Sequence, residues 1–197
     1  MIIIDGRPLD MNMAAFSNLE EILVQVINDE CMENRIVTDV LLNKEPFNEI
    51  YPHQAEDIET SEIESLEIQS VAMNEMAENV AIELHKVIRI MNEASRQIAQ
   101  YFRQADDAQA LDMLQDLLDV TRDFLGMVGL LRYEYVPQGS DNISERIELI
   151  SSLLGEMIET LENEDWILLA DLLEYEFLPA VKDWGGVIDN LQKIIKQ

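Results

Sequence analysis

The chain has 197 residues, with 40 Asp and Glu against 13 Lys and Arg and a formal charge of −27. Its 48% apolar content is that of a folded chain rather than a disordered one, and its length holds one medium domain or two small ones. The charge argues against binding to nucleic-acid phosphates, which takes Lys and Arg, and to anionic membranes; it favours cations or basic partners. The lone Cys31 cannot close an internal disulfide, which fits a reducing compartment. No apolar run reaches transmembrane length, and the opening Met1 to Asp5 lacks the basic start of a signal peptide. The cytoplasm is the expected location.

Ile2 to Ile4 ends in Asp5-Gly6, a hairpin signal because Gly accepts positive φ. Arg7 to Asn12 is the predicted return strand, with Pro8 placing it at an edge or strand start. Ser17-Asn18-Leu19-Glu20 has the form of a capping box. The helix behind it carries Leu19, Ile22, Leu23, Val26 and Ile27 on one face and is expected to run to Met32. Ile36 to Leu42 is β-branched and reads as a strand. A turn at Asn43-Lys44-Glu45 leads to a short return over Pro46–Ile50, and Tyr51–Ile63 reads as an irregular crossing with one helical turn. Ser65–Ser70 alternates like a last strand.

Hairpin, helix, strand, short strand, crossing and strand, in that order, resemble the ubiquitin-like β-grasp fold over residues 1–70. The conjugated members of that fold end in a free Gly-Gly tail, whereas Ser70 continues into helix. Their partner face has basic residues nearby, whereas this segment holds only Arg7, Arg35 and Lys44. The resemblance therefore implies a fixed recognition module rather than a tag.

Past residue 70 the composition turns to Met, Leu, Ala and Glu, which favour helix, and residues 71–197 form the expected second domain. No Pro/Gly linker intervenes, so the joint is expected to be stiff. Met73, Ala77, Val80, Leu84, Val87, Met91, Ala94, Ile98, Tyr101 and Ala105 recur at alternating steps of four and three, the stripe of one long helix. That spacing is also used by coiled coils, so homodimerisation along this helix is expected. Asp106 and Gln109 open the next helix in capping-box form. Leu111, Leu114, Leu118, Leu125 and Val128 line its apolar face, and Leu117, Phe124 and Leu131 widen it. Gly126 and Gly129 are expected to admit a close neighbour. Tyr133–Asp141 is a predicted loop, and Asn142–Glu145 a further capping box. Ile143, Ile147, Ile150, Leu154, Met157 and Leu161 then repeat the four-three spacing. Trp166 opens a last helix through Leu168, Leu169, Leu172, Leu173 and Phe177. Pro179 is expected to break or kink it near Phe177–Leu178, and Val181, Trp184, Ile188, Leu191 and Ile195 carry its face onward.

Gln104–Leu114 aligns with Asn163–Leu173, pairing Asp106 with Asp165, Asp112 with Asp171 and Leu114 with Leu173. Each copy is a helix, an acidic turn and a second helix. Two such hairpins give a four-helix bundle, and the predicted fold class is α+β: a small β-grasp domain followed by an all-α bundle of two helical hairpins. Ala170–Glu176 resembles a segment of uncharacterised bacterial helical proteins, which implies no activity.

Residues able to carry chemistry are few. His53 and His85 are the only histidines; a helical di-iron site needs Glu-x-x-His on two helices, and Glu83 and His85 lie two apart. Zinc needs a Cys/His cluster. Cys31, flanked by Asp29, Glu30 and Glu33, has its thiol raised rather than activated and reads as an inert core or boundary residue. No nucleophile triad, phosphate-cradling loop or nucleotide fingerprint is present, so no catalytic residue, metal or cofactor is expected. Asn142-Ile143-Ser144 fits a glycosylation pattern that a cytosolic protein would not use. Asp112, Asp171, Glu174 and Tyr175 form the candidate polar cluster, read as partners for Arg89, Arg96 or Arg122, or else as an acid pair across the repeat. Trp166 and Trp184 read as core or end-caps. The expected function is a non-enzymatic interaction module, an adaptor or assembly partner. The alternatives are an acidic nucleic-acid mimic or chaperone for a basic client, and an enzyme using Asp112, Asp171 and Tyr175.

Overall fold

The computed structural model describes residues 1–48, 54–137 and 143–196. Two compact units divide the chain, Met1–Met76 and Ala77–Gln197. The first holds a mixed sheet and the second is helical, an α+β architecture.

The first unit contains strands β1 (Ile2–Ile4), β2 (Arg7–Leu9), β3 (Arg35–Leu42), β4 (Glu45–Pro46) and β5 (Leu66–Ala72) and helix α1 (Leu19–Ile27). The strand order is β2-β1-β5-β3-β4, with β5 parallel to β1 and antiparallel to β3. Asp5 and Gly6 are both left-handed, at φ 49° and 77°, the type I′ geometry that suits strand twist. Pro8 lies on an edge strand opposite Ile3, where its missing N–H is tolerated. Ile2, Ile4, Leu66 and Ile68 share one core with Leu19, Ile22 and Val26 of α1.

Three local expectations shift. The capping box sits one residue later: the Asn18 side chain accepts from the Glu21 amide, and Glu21 reaches back to the Ser17 amide at 2.7 Å. Helix α1 stops at Ile27, Asn28 bonds back to Val24, and a separate 3₁₀ turn follows at Glu30–Met32. Ile27 is thus exposed. The short return is limited to Glu45–Pro46; Ile50, Tyr51 and His53 lie outside the described residues.

The second unit is built on α2 (Met73–Arg103), 31 residues without interruption and so about 46 Å long. It is followed by α3 (Asp107–Tyr135), α4 (Ile143–Glu162), α5 (Trp166–Asp171), a π-helical turn (Leu172–Phe177) and α6 (Leu178–Ile195). One core gathers residues from all of them. Helix α3 extends through Tyr133–Tyr135, where a loop was predicted, and Asn142 lies outside the described residues. Along α2 one column of the predicted stripe, Ala77, Leu84, Met91 and Ile98, is buried in the core, and the other is rotated by one residue. Ala81, Ile88, Ser95 and Phe102 are buried, while Val80, Val87, Ala94 and Tyr101 flank them, half-buried. Buried Ser95 is accommodated because its hydroxyl donates to the Met91 carbonyl at 2.6 Å. In α3 the widening set, Leu117, Phe124 and Leu131, forms the core together with Leu114 and Val128, and Leu111 turns outward.

Pro179 does not break the last helix. The backbone stays right-handed through Asp171, Leu172 and Leu178, and the Leu178 amide donates to the Leu173 carbonyl five residues back. This wide π spacing relieves the clash a proline imposes on the carbonyl four residues before it. Gly126 and Gly129 meet open space rather than a neighbour: a Cβ at either would contact nothing within 4 Å.

The two hairpin turns are the same structure twice. Ala105 and Glu164, equivalent in the repeat, are left-handed at φ 58° and 54°. Asp106 donates to the Tyr101 carbonyl and Asp165 to that of Thr160, at 3.0 and 3.2 Å. Ala105 and Glu164 bond back three residues, to Phe102 and Leu161. These are the paired bonds of a Schellman ending. The copies differ at the next cap: Asp165 accepts from the Leu168 amide, whereas the Asp106 side chain makes no capping bond.

Candidate interaction site

The predicted polar cluster is organised by an arginine that sequence reasoning passed over. Arg103, at the end of α2, binds Asp171 through Nη2 at 2.7 Å and Glu174 through Nη1. Its guanidinium lies 5.9 Å from the Tyr175 ring centroid. Hydrogen bonds to Asp171 and Glu174 hold the Arg103 guanidinium further above its already high value. Arg89 and Arg96 are exposed, and Arg122 pairs within its own helix, with Asp119 at 3.0 Å. Asp112 is exposed on α3 and takes no part in the Arg103 cluster. The arrangement is an ion-pair clamp, and its chemistry is positional. Phe102, the residue before the clamp, stacks on Trp166 at 5.4 Å and 4°, so α2 ends against α5 through one polar and one aromatic contact. Trp184 is buried, edge-on to Phe124 at 5.6 Å.

In the first unit a second polar cluster pins the hairpin. The Asp5 carboxylate accepts from the Ser70 amide at 2.7 Å, the Ser70 hydroxyl at 2.8 Å and Arg35 at 2.9 Å. The Ser70 hydroxyl, the Ser70 amide and Arg35 hold the Asp5 carboxyl below its ordinary range. Cys31 lies nearby in the 3₁₀ turn and is exposed, not in the core. Loss of hydration, then Asp29, pushes its thiol up. Among the described residues, no three His, Cys, Asp or Glu side chains converge as metal ligands. His85 meets Asp189 at 3.1 Å.

The surface feature that residue periodicity did not announce is a groove between α2 and α3, about 430 Å³ in volume and lined by Ile90, Met91, Ala94, Met113, Asp116, Leu117, Asp119, Val120 and Asp123. Met91 and Leu117 are buried at its floor, Ile90 and Val120 are exposed on its walls, and three aspartates of α3 rim it. Arg122 partly neutralises this rim, through Asp119 and a longer 3.7 Å contact to Asp123. The signal lay in α3: Met113, Val120 and Met127 recur every seven residues beside the core column of Leu117, Phe124 and Leu131.

The class is thus a two-unit α+β protein whose helical unit carries an acid-rimmed apolar groove. Residues 79–186, more than half of the chain, match the family described as a domain of unknown function (DUF8042), and residues 1–71 match the domain of unknown function DUF8043. The chain belongs to the DUF8042 family and carries a DUF8043 domain ahead of it. No curated protein and no solved structure matches it. No helix among the described residues is long and apolar enough to cross a membrane.

Proposed function

We propose that this protein is a non-enzymatic interaction module, an adaptor or assembly partner, with a ubiquitin-like β-grasp head ahead of a helical bundle. The β-grasp reading is supported by the strand order β2-β1-β5-β3-β4 and by one helix placed between the first hairpin and β3. The observation that carries the functional reading is the groove on the helical unit, an apolar floor left open between α2 and α3. Of the residues that an enzyme reading would use, Asp171 pairs with Arg103 and Tyr175 lies against it, while Asp112 stands exposed on α3 apart from both. Affinity capture of the full chain at native expression level, with quantitative mass spectrometry, is expected to recover a stoichiometric protein partner. Recovery of none above background overturns the reading. The charge of −27 favours a second reading, a mimic of nucleic acid or a chaperone for a basic client. It requires capture that weakens steeply with salt, and salt-insensitive capture removes it.

A further inference from the structure

We infer that the α2–α3 groove is the docking site for a basic amphipathic helix of a partner protein. This rests on the interaction-module reading and names the surface and the chemistry of the occupant. The groove supplies what helix-in-groove recognition needs, an apolar floor between two helices. Ile90 and Ala94 form one wall and Met113 and Val120 the other, over Met91 and Leu117. The apolar line does not stop at the groove's end. Met127, seven residues past Val120, continues it along α3 at 41% exposure. Met113 to Met127 covers about 21 Å of helix, room for a partner helix of about four turns. Methionine at three of these positions supplies an adaptable lining.

Charge selects the occupant. Asp116, Asp119 and Asp123 stand along one rim, with Arg122 as the cation between two of them. A second copy of this chain would bring a like rim and another charge of −27 against the first, so self-association through this face is opposed. A helix with apolar residues at i, i+3, i+4 and i+7 and Lys or Arg beside them fills the floor. Its cations meet Asp116 directly and compete with Arg122 for Asp119 and Asp123.

The test uses the full chain and a synthetic helical peptide made only of Leu and Lys, of about four turns, followed by calorimetry and by methyl NMR of labelled methionine. Binding is expected, with the signals of Met91 and Met113 moving. Neutralising the rim, D116N/D119N/D123N, is expected to weaken binding about tenfold or more, and V120E to do the same. Neutralising three exposed acids of α4, E145Q/E148Q/E159Q, is expected to change it less than about threefold. Circular dichroism matched to the parent shows that the variants are folded. Equal weakening by the rim and α4 variants would show unspecific attraction and overturn the groove, leaving the interaction-module reading standing. No binding to the parent chain overturns the basic-helix assignment. Sedimentation of a dimer that V120E dissociates overturns it in favour of a second copy. A partner captured from native lysate whose binding ignores the rim and V120E substitutions separates the module reading, intact, from the groove, lost.

Discussion

The duplicated turn at Ala105 and Glu164 permits a test in which magnitude and sign both follow from backbone geometry. Each residue ends its helix at φ 58° and 54°, a position where glycine is the usual occupant. A side chain with a Cβ is held there at a cost of about 1–2 kcal/mol. Glycine removes that strain but brings a more flexible unfolded chain, an opposing term of roughly 0.5–1 kcal/mol. A105G and E164G are therefore each expected to stabilise the helical unit by about 0.5–1 kcal/mol. The two turns share no residues, so the double variant should give about the sum of the single ones. Trp166 and Trp184 both lie in this unit, so urea unfolding followed by tryptophan fluorescence reads its stability directly. Alanine-scale effects elsewhere on the helices would not pick out these two positions as a pair. Destabilisation by either glycine, or opposite signs at the two sites, would refute the equivalence of the turns and the argument from strain.

The caps of the same turns should differ. D165A is expected to cost about 1 kcal/mol through loss of the bond to the Leu168 amide, and D106A much less, by the same denaturation assay. R103A removes two ion pairs from side chains 34% to 48% exposed, so after discounting for solvent the loss is about 1 kcal/mol; R103K should recover only part of it, and high salt should shrink the difference. In the head, Asp5 has a lowered folded-state pKa, so its contribution is complete above the ordinary carboxylate value of 3.8 and is lost as pH falls through the folded value. D5N should remove that acid-sensitive contribution while preserving the left-handed turn, which Asn also accepts. Amide NMR of β5 across a pH series checks it: parent and D5N should differ near neutrality and converge in acid.

Much of the architecture was legible because it depends on period and punctuation. The Asp5-Gly6 hairpin, the β-branched run of β3 and the uninterrupted α2 follow from residue type and spacing. Which flank of a broad apolar stripe becomes the core is not so determined. Along α2, Val80, Val87 and Ala94 satisfy the period as well as Ala81, Ile88 and Ser95 do, and only packing against the neighbouring helices decides. Ser95 could not have been assigned to the core from hydropathy, since its burial depends on a backbone bond to Met91. Gly126 and Gly129 misled because small residues signal close approach only when a neighbour is there. The repeat groups Asp112 with Asp171, Glu174 and Tyr175, but Asp112 stands apart, and the cation of the cluster, Arg103, lies about 70 residues from Asp171 and Glu174, a distance that no local pattern spans. The groove escaped for a related reason: Met113, Val120 and Met127 look like an outer edge of the core until α2 is placed beside them.

The wide turn before Pro179 has a consequence for how this helix keeps step with its neighbours. Leu169, Leu173, Phe177 and Val181 are all buried and are spaced by fours. In a regular helix each such step would swing the side chain about 40° further round, and by Val181 the row would have left the core. The π turn acts as a vernier that resets the phase, so the halves before and after it address the same interior. The last helix therefore carries one residue more than its length requires, absorbed as a change of pitch. Insertions and deletions at this point would alter the winding of the helix before they altered what it buries.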